Sequence, residues 1–219
     1  MLSNNLNDIH ERIAAACTRV GRNPDDVTLV CVSKTISSET ICEAAALGEK
    51  VFGENRVQEL CEKYPLVENV QWHLIGHLQT NKVRQVVGKA ALIHSVDSLH
   101  LAQEINSRAE KAGIIQDILL EVNISGEESK YGLTTAQIPT IIKGIGTMDN
   151  LRFRGFMTMA PKYATADEIR TIFRSARNLF EEYRSHGADI LSMGMSGDFE
   201  IAVEEGATHV RVGSSIFKR

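Results

Sequence analysis

Short β-prone runs alternate with longer amphipathic stretches eight times along this chain, and that rhythm restricts the fold more than any other feature. The runs fall at residues 27–33, 50–52, 71–75, 91–95, 117–124, 151–159, 190–193 and 209–212. Between them, helical periodicity marks 38–47, 54–63, 80–88, 98–112, 134–144, 165–186 and 198–205. Over 98–112, for example, Leu99, Ala102, Ile105 and Ala109 line one face. A further helix over 2–20 precedes the first run, with Leu6, Ile9, Ile13, Ala16 and Val20 at the same spacing. Gly21 and Pro24 end it in a turn. Strands that alternate with helices build a parallel sheet with right-handed crossovers, and eight such units close into a barrel. The predicted fold is therefore α/β: a single (β/α)₈ barrel of TIM type with an extra N-terminal helix. An open doubly wound sheet is the alternative. No linker or shift in composition divides the 219 residues, so residues 1–219 read as one domain.

The net charge of -4, with lysines and arginines scattered, gives no footprint for nucleic acid or for anionic lipid. No apolar run approaches membrane-spanning length. The four cysteines, Cys17, Cys31, Cys42 and Cys61, show no CxxC spacing and suggest neither a disulfide framework nor a zinc site. The polar start Met1-Leu2-Ser3-Asn4-Asn5 lacks a signal-peptide apolar region, so the sequon Asn123-Ile124-Ser125 reads as chance. The expected compartment is the cytosol. No helix shows a broad second apolar face, so a monomer is expected.

Functional groups of a parallel barrel gather at the C-terminal ends of its strands. There the chain places small and polar residues, while the strand interiors read as apolar. Lys34 ends the run Leu29-Val30-Cys31-Val32-Ser33. A free lysine is a poor nucleophile near neutrality, and desolvation at a barrel mouth would free its amine to form a Schiff base. The plain alternative is a lysine that snorkels at a strand end. Loops after strands 7 and 8 commonly seat a phosphate. Here these loops are Gly194-Met195-Ser196-Gly197 and Gly213-Ser214-Ser215, both leading into helical sequence. Backbone N–H groups and hydroxyls in such loops bind phosphate, although N-capping by Ser196 or Ser214 would use the same residues. Arg211 sits inside strand 8, where it either pairs with an acid such as Glu121 or donates to a ligand ring. An aldehyde near Lys34 and a phosphate opposite it describe a phosphosugar or pyridoxal 5′-phosphate.

Longer motifs narrow the choice. These are Val32-Ser33-Lys34-Thr35, Phe52-Gly53-Glu54-Asn55-Arg56-Val57-Gln58-Glu59 and Trp72-His73-Leu74-Ile75-Gly76-His77-Leu78-Gln79-Thr80-Asn81-Lys82. Asn123-Ile124-Ser125-Gly126-Glu127-Glu128-Ser129-Lys130-Tyr131-Gly132, Ser192-Met193-Gly194-Met195-Ser196-Gly197-Asp198 and Val210-Arg211-Val212-Gly213-Ser214-Ser215-Ile216-Phe217 complete the set. Over nearly its whole length the chain resembles the pyridoxal phosphate homeostasis proteins. The resemblance implies a barrel like the N-terminal domain of alanine racemase, with pyridoxal phosphate as cofactor. It implies Lys34 as the Schiff-base lysine, Ser196, Gly213 and Ser214 around the phosphate, Arg211 at the pyridine nitrogen and Asn55 near the ring, with Met195 also among the cofactor-binding residues. It further implies a buffer or carrier of vitamin B6 without catalytic turnover, passing its cofactor transiently to apoenzymes that need it. Ser37 stands where the family often has proline, and Lys218 where glycine often follows the phenylalanine.

An arginine at the pyridine nitrogen stays protonated and keeps that nitrogen unprotonated, which weakens the ring as an electron sink. An amino-acid racemase remains the alternative, but it needs acid/base groups on both faces of the substrate carbon. Relatives of that type supply one from a further domain, which is not expected here, so Tyr131 or His77 would have to serve. A Schiff-base aldolase is a weaker alternative still, because it does not call for Arg211. His73 and His77 straddle a strand end and a glycine, and no metal site is expected. Lys130 reads as a surface lysine or as a secondary docking point for cofactor.

Overall fold

The computed structural model describes residues 1–126 and 131–218. Helix α1 (Leu2–Arg19) comes first, and its buried face is Leu6, Ile9, Ile13, Ala16 and Cys17. The strands are β1 (Thr28–Val32), β2 (Val51–Glu54), β3 (Gln71–Leu74), β4 (Ala90–Val96), β5 (Gln116–Glu121), β6 (Leu151–Met157), β7 (Ile190–Ser192) and β8 (His209–Val212). Each pairs in parallel with the next, and β8 pairs with β1 through Cys31 and Val212, so the sheet closes. This is the barrel that the rhythm of the sequence predicts, and it rules out the open sheet.

The connecting helices are α2 (Ser38–Ala46), α3 (Val57–Lys63), α4 (Val83–Val86), α5 (Leu99–Ala112), α6 (Ile138–Ile145), α7 (Ala166–Glu182) and α8 (Phe199–Glu204). Local chemistry sets their ends. Ser37 and Ser98 cap α2 and α5, and Thr165 with Glu168 forms a capping box on α7. Several boundaries differ from the sequence expectation. β2 runs on to Glu54, so the helix expected from residue 54 starts only at Val57. The stretch 80–88 is a 3₁₀ turn, Thr80–Lys82, followed by the single turn α4. The helix expected over 165–186 stops at Glu182, and a 3₁₀ turn, Arg184–His186, follows it.

Large side chains such as Trp72, Phe52, Phe156, Phe173, Phe180 and Phe199 are fully buried in the main core. At ~1.5–3 kcal/mol for each buried large side chain, this layer carries much of the stability. α1 lies beside α8, with Arg12 and Arg19 paired to Glu200 and Asn5 donating to the carbonyl of Ile216. Gly155 on β6 has φ +134, and a Cβ there would sit 2.0 Å from the Ile190 carbonyl oxygen, so only glycine allows β6 and β7 to meet.

The lumen departs from expectation. Leu92, Leu119, Met157 and Ile190 form a small apolar cluster of their own. The period of two that sets Leu92 inward also turns His94 inward, and Ile190 likewise brings Ser192. The strand interiors are therefore not uniformly apolar: His73, His94, Ser192 and Arg211 are all buried. No helix among the described residues is long and apolar enough to cross a membrane.

Candidate functional site

β1 ends at Val32, and Lys34 follows in a turn whose next residue, Thr35, has the left-handed φ of 63. A buried set of charges holds this turn. The N–H of Thr35 donates to Glu59 at 2.7 Å, and the Ser33 hydroxyl donates to Glu54 at 2.7 Å. Lys63 donates to the Ser33 carbonyl at 2.8 Å, to Glu54 at 2.7 Å and to Glu59 at 3.3 Å. Burial pushes the Glu54 carboxyl up even against Lys63 and Ser33. Burial also opposes ionisation of Glu59, but the Thr35 N–H and Lys63 outweigh it and the net shift is downward. The second oxygen of Glu54 is buried with no partner among the described residues. With its turn held in this way, the Lys34 side chain is exposed and forms no ion pair among the described residues. The desolvation expected around Lys34 is therefore not supplied by the chain's own packing.

The loops after β7 and β8 meet beside this turn. The Ser196 hydroxyl accepts the Gly213 N–H at 3.3 Å. A Cβ on Gly213 would lie 2.8 Å from the Val32 carbonyl oxygen, so glycine is what lets this loop approach β1. A cavity of about 250 Å³ is lined by Lys34 and Thr35 on one side and by Gly213, Ser214 and Phe217 on the other. The Lys34 side chain and the loop after β8 thus share one cavity, as barrel closure through β1 and β8 requires. Met195 and Asn55 are exposed at the same end of the barrel but do not line this cavity. The Met195 N–H is taken by Asp198 at 2.5 Å. α8 begins only at Phe199 and has six residues, so this loop presents hydroxyl and backbone N–H groups rather than a long helix dipole.

Arg211 is buried on β8. It donates to the Ser192 hydroxyl at 2.7 Å and to the Thr158 carbonyl at 3.1 Å. Burial lowers its pKa to about 10, with Asp198 and Glu121 opposing. Burial, aided by Asp97, raises Glu121 to about 7 against the pull of Arg211. Among the described residues no ion pair joins Arg211 to Glu121, which removes the salt-bridge alternative.

His73 and His77 part company. His73 is buried against His94, whereas His77 lies 3.5 Å from Asp97 and stacks on exposed Tyr131 at 4.3 Å. Among the described residues no three potential ligands cluster around a metal position. Lys130 lies outside the described residues. A larger cavity, about 1120 Å³, opens at the opposite end of the barrel. Its charged wall is largely self-paired, with Arg152 and Arg154 on Asp117 and Arg154 on Asp189. That end of such a barrel serves stability rather than chemistry.

The alanine racemase N-terminal domain family matches residues 5–219. A pyridoxal phosphate homeostasis protein of Aquifex aeolicus is 44% identical over 217 residues, which is 97% of this chain and 95% of that one. Its counterpart in Escherichia coli K12 is 35% identical over 226 residues, covering 99% and 95%. The chain belongs to the pyridoxal phosphate homeostasis protein family. PipY of Synechococcus elongatus, solved with PLP bound, superposes with a TM-score of 0.87 at 33% identity over 99% of this chain and 100% of that one. An alanine racemase of Clostridium difficile shares the fold, with a TM-score of 0.77 at 16% identity over 100% of this chain and 56% of its own.

Within this family member, sequence motifs point to Lys34 and the two small-residue loops but not to what supports them. Glu59 and Lys63, four apart on one helix face, are the one local signal for the charges under the Lys34 turn. His94 and Ser192 carry no local signal; only their inward parity marks them.

Proposed function

We propose that this chain binds pyridoxal 5′-phosphate as a Schiff base on Lys34 and serves in vitamin B6 homeostasis as a buffer or carrier, without turnover of its own. The observation that carries this reading is the cavity lined by Lys34, Gly213 and Ser214, in a barrel whose buried Arg211 has no ion-paired carboxylate among the described residues. The bound cofactor supplies an aldehyde for the amine, a phosphate and a pyridine ring. Gly213, Ser214 and Ser196 offer N–H and hydroxyl donors suited to the phosphate. Met195 contributes to the rim of the same loop, and Asn55 stands at the ring side of the mouth. Arg211 remains protonated near neutrality, so it donates to the ring nitrogen and holds that nitrogen as an acceptor. A ring held in that state is a weak electron sink, which favours storage over transformation. The protein acts as a monomer in the cytosol and hands its cofactor to apoenzymes through brief encounters. Neither nucleic acid nor a membrane is a partner.

The test is the visible spectrum of the protein with added pyridoxal phosphate, beside Lys34→Ala. A Schiff-base band, trapped by borohydride on the Lys34 peptide and lost in the variant, is expected. Trapping on another residue, or no band, overturns the reading. Racemisation of an amino acid by the loaded protein would replace the carrier reading with the racemase one.

A further inference from the structure

The lumen holds buried polar groups that the function above leaves unused. His94 on β4 is fully buried and bonded through both ring nitrogens. Its Nδ1 lies 3.0 Å from Ser192 Oγ, and its Nε2 lies 3.0 Å from Nδ1 of His73. On the other side of Ser192, Arg211 Nη1 donates to the same Oγ at 2.7 Å. Side chains from β3, β4, β7 and β8 thus form one line of hydrogen bonds across the barrel.

Donor and acceptor capacity sets the direction of this line. A guanidinium only donates, so Ser192 Oγ accepts from Arg211. The single hydroxyl hydrogen of Ser192 then has one acceptor among the described residues, Nδ1 of His94. A proton on Nδ1 would leave that buried hydroxyl hydrogen without an acceptor, which is costly. His94 therefore carries its proton on Nε2 and donates to His73. His73 in turn carries its proton on Nε2, and every bond runs away from Arg211. Burial, together with His73, Arg211 and His209, keeps His94 neutral, which the line requires.

Arg211 has no carboxylate at ion-pair distance among the described residues. Asp198 and Glu121 act on its charge only at longer range, and its hydrogen bonds go to two neutral groups, Ser192 and Thr158, which set its orientation. Ser192 becomes a better acceptor for Arg211 because it gives its own hydrogen to His94. We propose that His94 is a positioning residue of the cofactor site, which acts through Ser192 to hold the Arg211 guanidinium in one orientation for the cofactor ring. The proposal rests on the assignment of Arg211 to the ring nitrogen.

The test uses the full chain loaded with pyridoxal phosphate and compares His94→Leu, Ser192→Ala, their combination and His94→Gln. The readouts are cofactor affinity and the pH midpoint of the Schiff-base band. His94→Leu and Ser192→Ala are each expected to weaken binding by about tenfold and to move the midpoint in the same direction. The combination is expected to go no further than either single change. The amide of His94→Gln can accept from Ser192 and donate to His73, so it should restore both readouts. Wild-type affinity and midpoint in His94→Leu overturn the proposal, as does a failure of His94→Gln to restore them at wild-type thermal stability. Should His94→Leu not fold, Ser192→Ala decides, because an unmoved midpoint there overturns the proposal. Nitrogen NMR of the protein without cofactor gives an independent answer: a proton on Nδ1 of His94 overturns the line itself. A wild type with no Schiff-base band would instead sink the cofactor assignment, and the role of His94 with it, while the nitrogen spectrum still reports the direction of the line.

Discussion

The Lys63 ammonium lies 2.7 Å from the Glu54 carboxylate, and both are buried beneath the turn that carries Lys34. Removing one partner of a buried pair strands the other, at a cost of about 3–5 kcal/mol. Burial already raises the Glu54 carboxyl, so Glu54 can take up a proton, and the low end of that range applies. Lys63→Met is expected to destabilise the protein by about 3 kcal/mol in urea denaturation and to slow borohydride trapping at Lys34. Adding Glu54→Gln should recover part of the stability. A Lys63→Met protein of wild-type stability would contradict this account of the turn.

Gly213→Ala should damage both stability and phosphate recognition. The new Cβ meets backbone, the Val32 carbonyl oxygen at 2.8 Å, and strand pairing between β1 and β8 prevents an easy retreat. A loss of about 1–3 kcal/mol is expected. Binding of pyridoxal phosphate should weaken by about tenfold, while binding of pyridoxal, which lacks the phosphate, stays unchanged. Equal losses for the two ligands would separate Gly213 from the phosphate.

Thr35→Gly offers the opposite sign. Thr35 is a β-branched residue at φ 63, a conformation that costs a non-glycine residue about 1–2 kcal/mol. The extra chain entropy of glycine takes back about 0.5–1 kcal/mol, so the relief of strain wins. A small rise in the midpoint of thermal unfolding is expected, and a fall would mean that the threonine side chain stabilises the turn.

Stability should fall in mild acid. Burial lowers His73 from 6.5 to about 3 and His209 to about 4, and His94 shifts the same way. Below pH 6.5 the unfolded chain binds protons that the folded chain refuses. The stabilisation is thus complete above pH 6.5 and is lost as pH drops toward 4 and 3. Glu121 works against this. Its folded value is raised from 4.5 to about 7, so its contribution is complete below 4.5 and is lost as pH rises through 7. His73 and His209 each lose about 3 kcal/mol between pH 7 and pH 4 against the ~3 kcal/mol that Glu121 gains, so the net loss should be about 3 kcal/mol, and His94 adds to it in the same direction. A thermal midpoint that stays level from pH 7 to pH 5 would contradict the burial of these rings.

What the sequence by itself determined is the rhythm and the rim. Helix periodicity, turn residues and caps act over a few positions, so the barrel, Lys34 at the end of β1 and the small-residue loops near Ser196 and Gly213 are all legible from local pattern. Boundaries slipped where a tertiary contact won, as at Glu54, which Ser33 and Lys63 hold in β2 instead of the helix its neighbours suggest. The tertiary structure alone decided what stands behind the rim. His73, His94, Ser192 and Arg211 lie far apart in sequence, and strand parity marks a side chain as inward without saying which partner it meets. Closure of β8 onto β1 brings them within hydrogen-bond reach, because the inside of a closed barrel is shared by every strand.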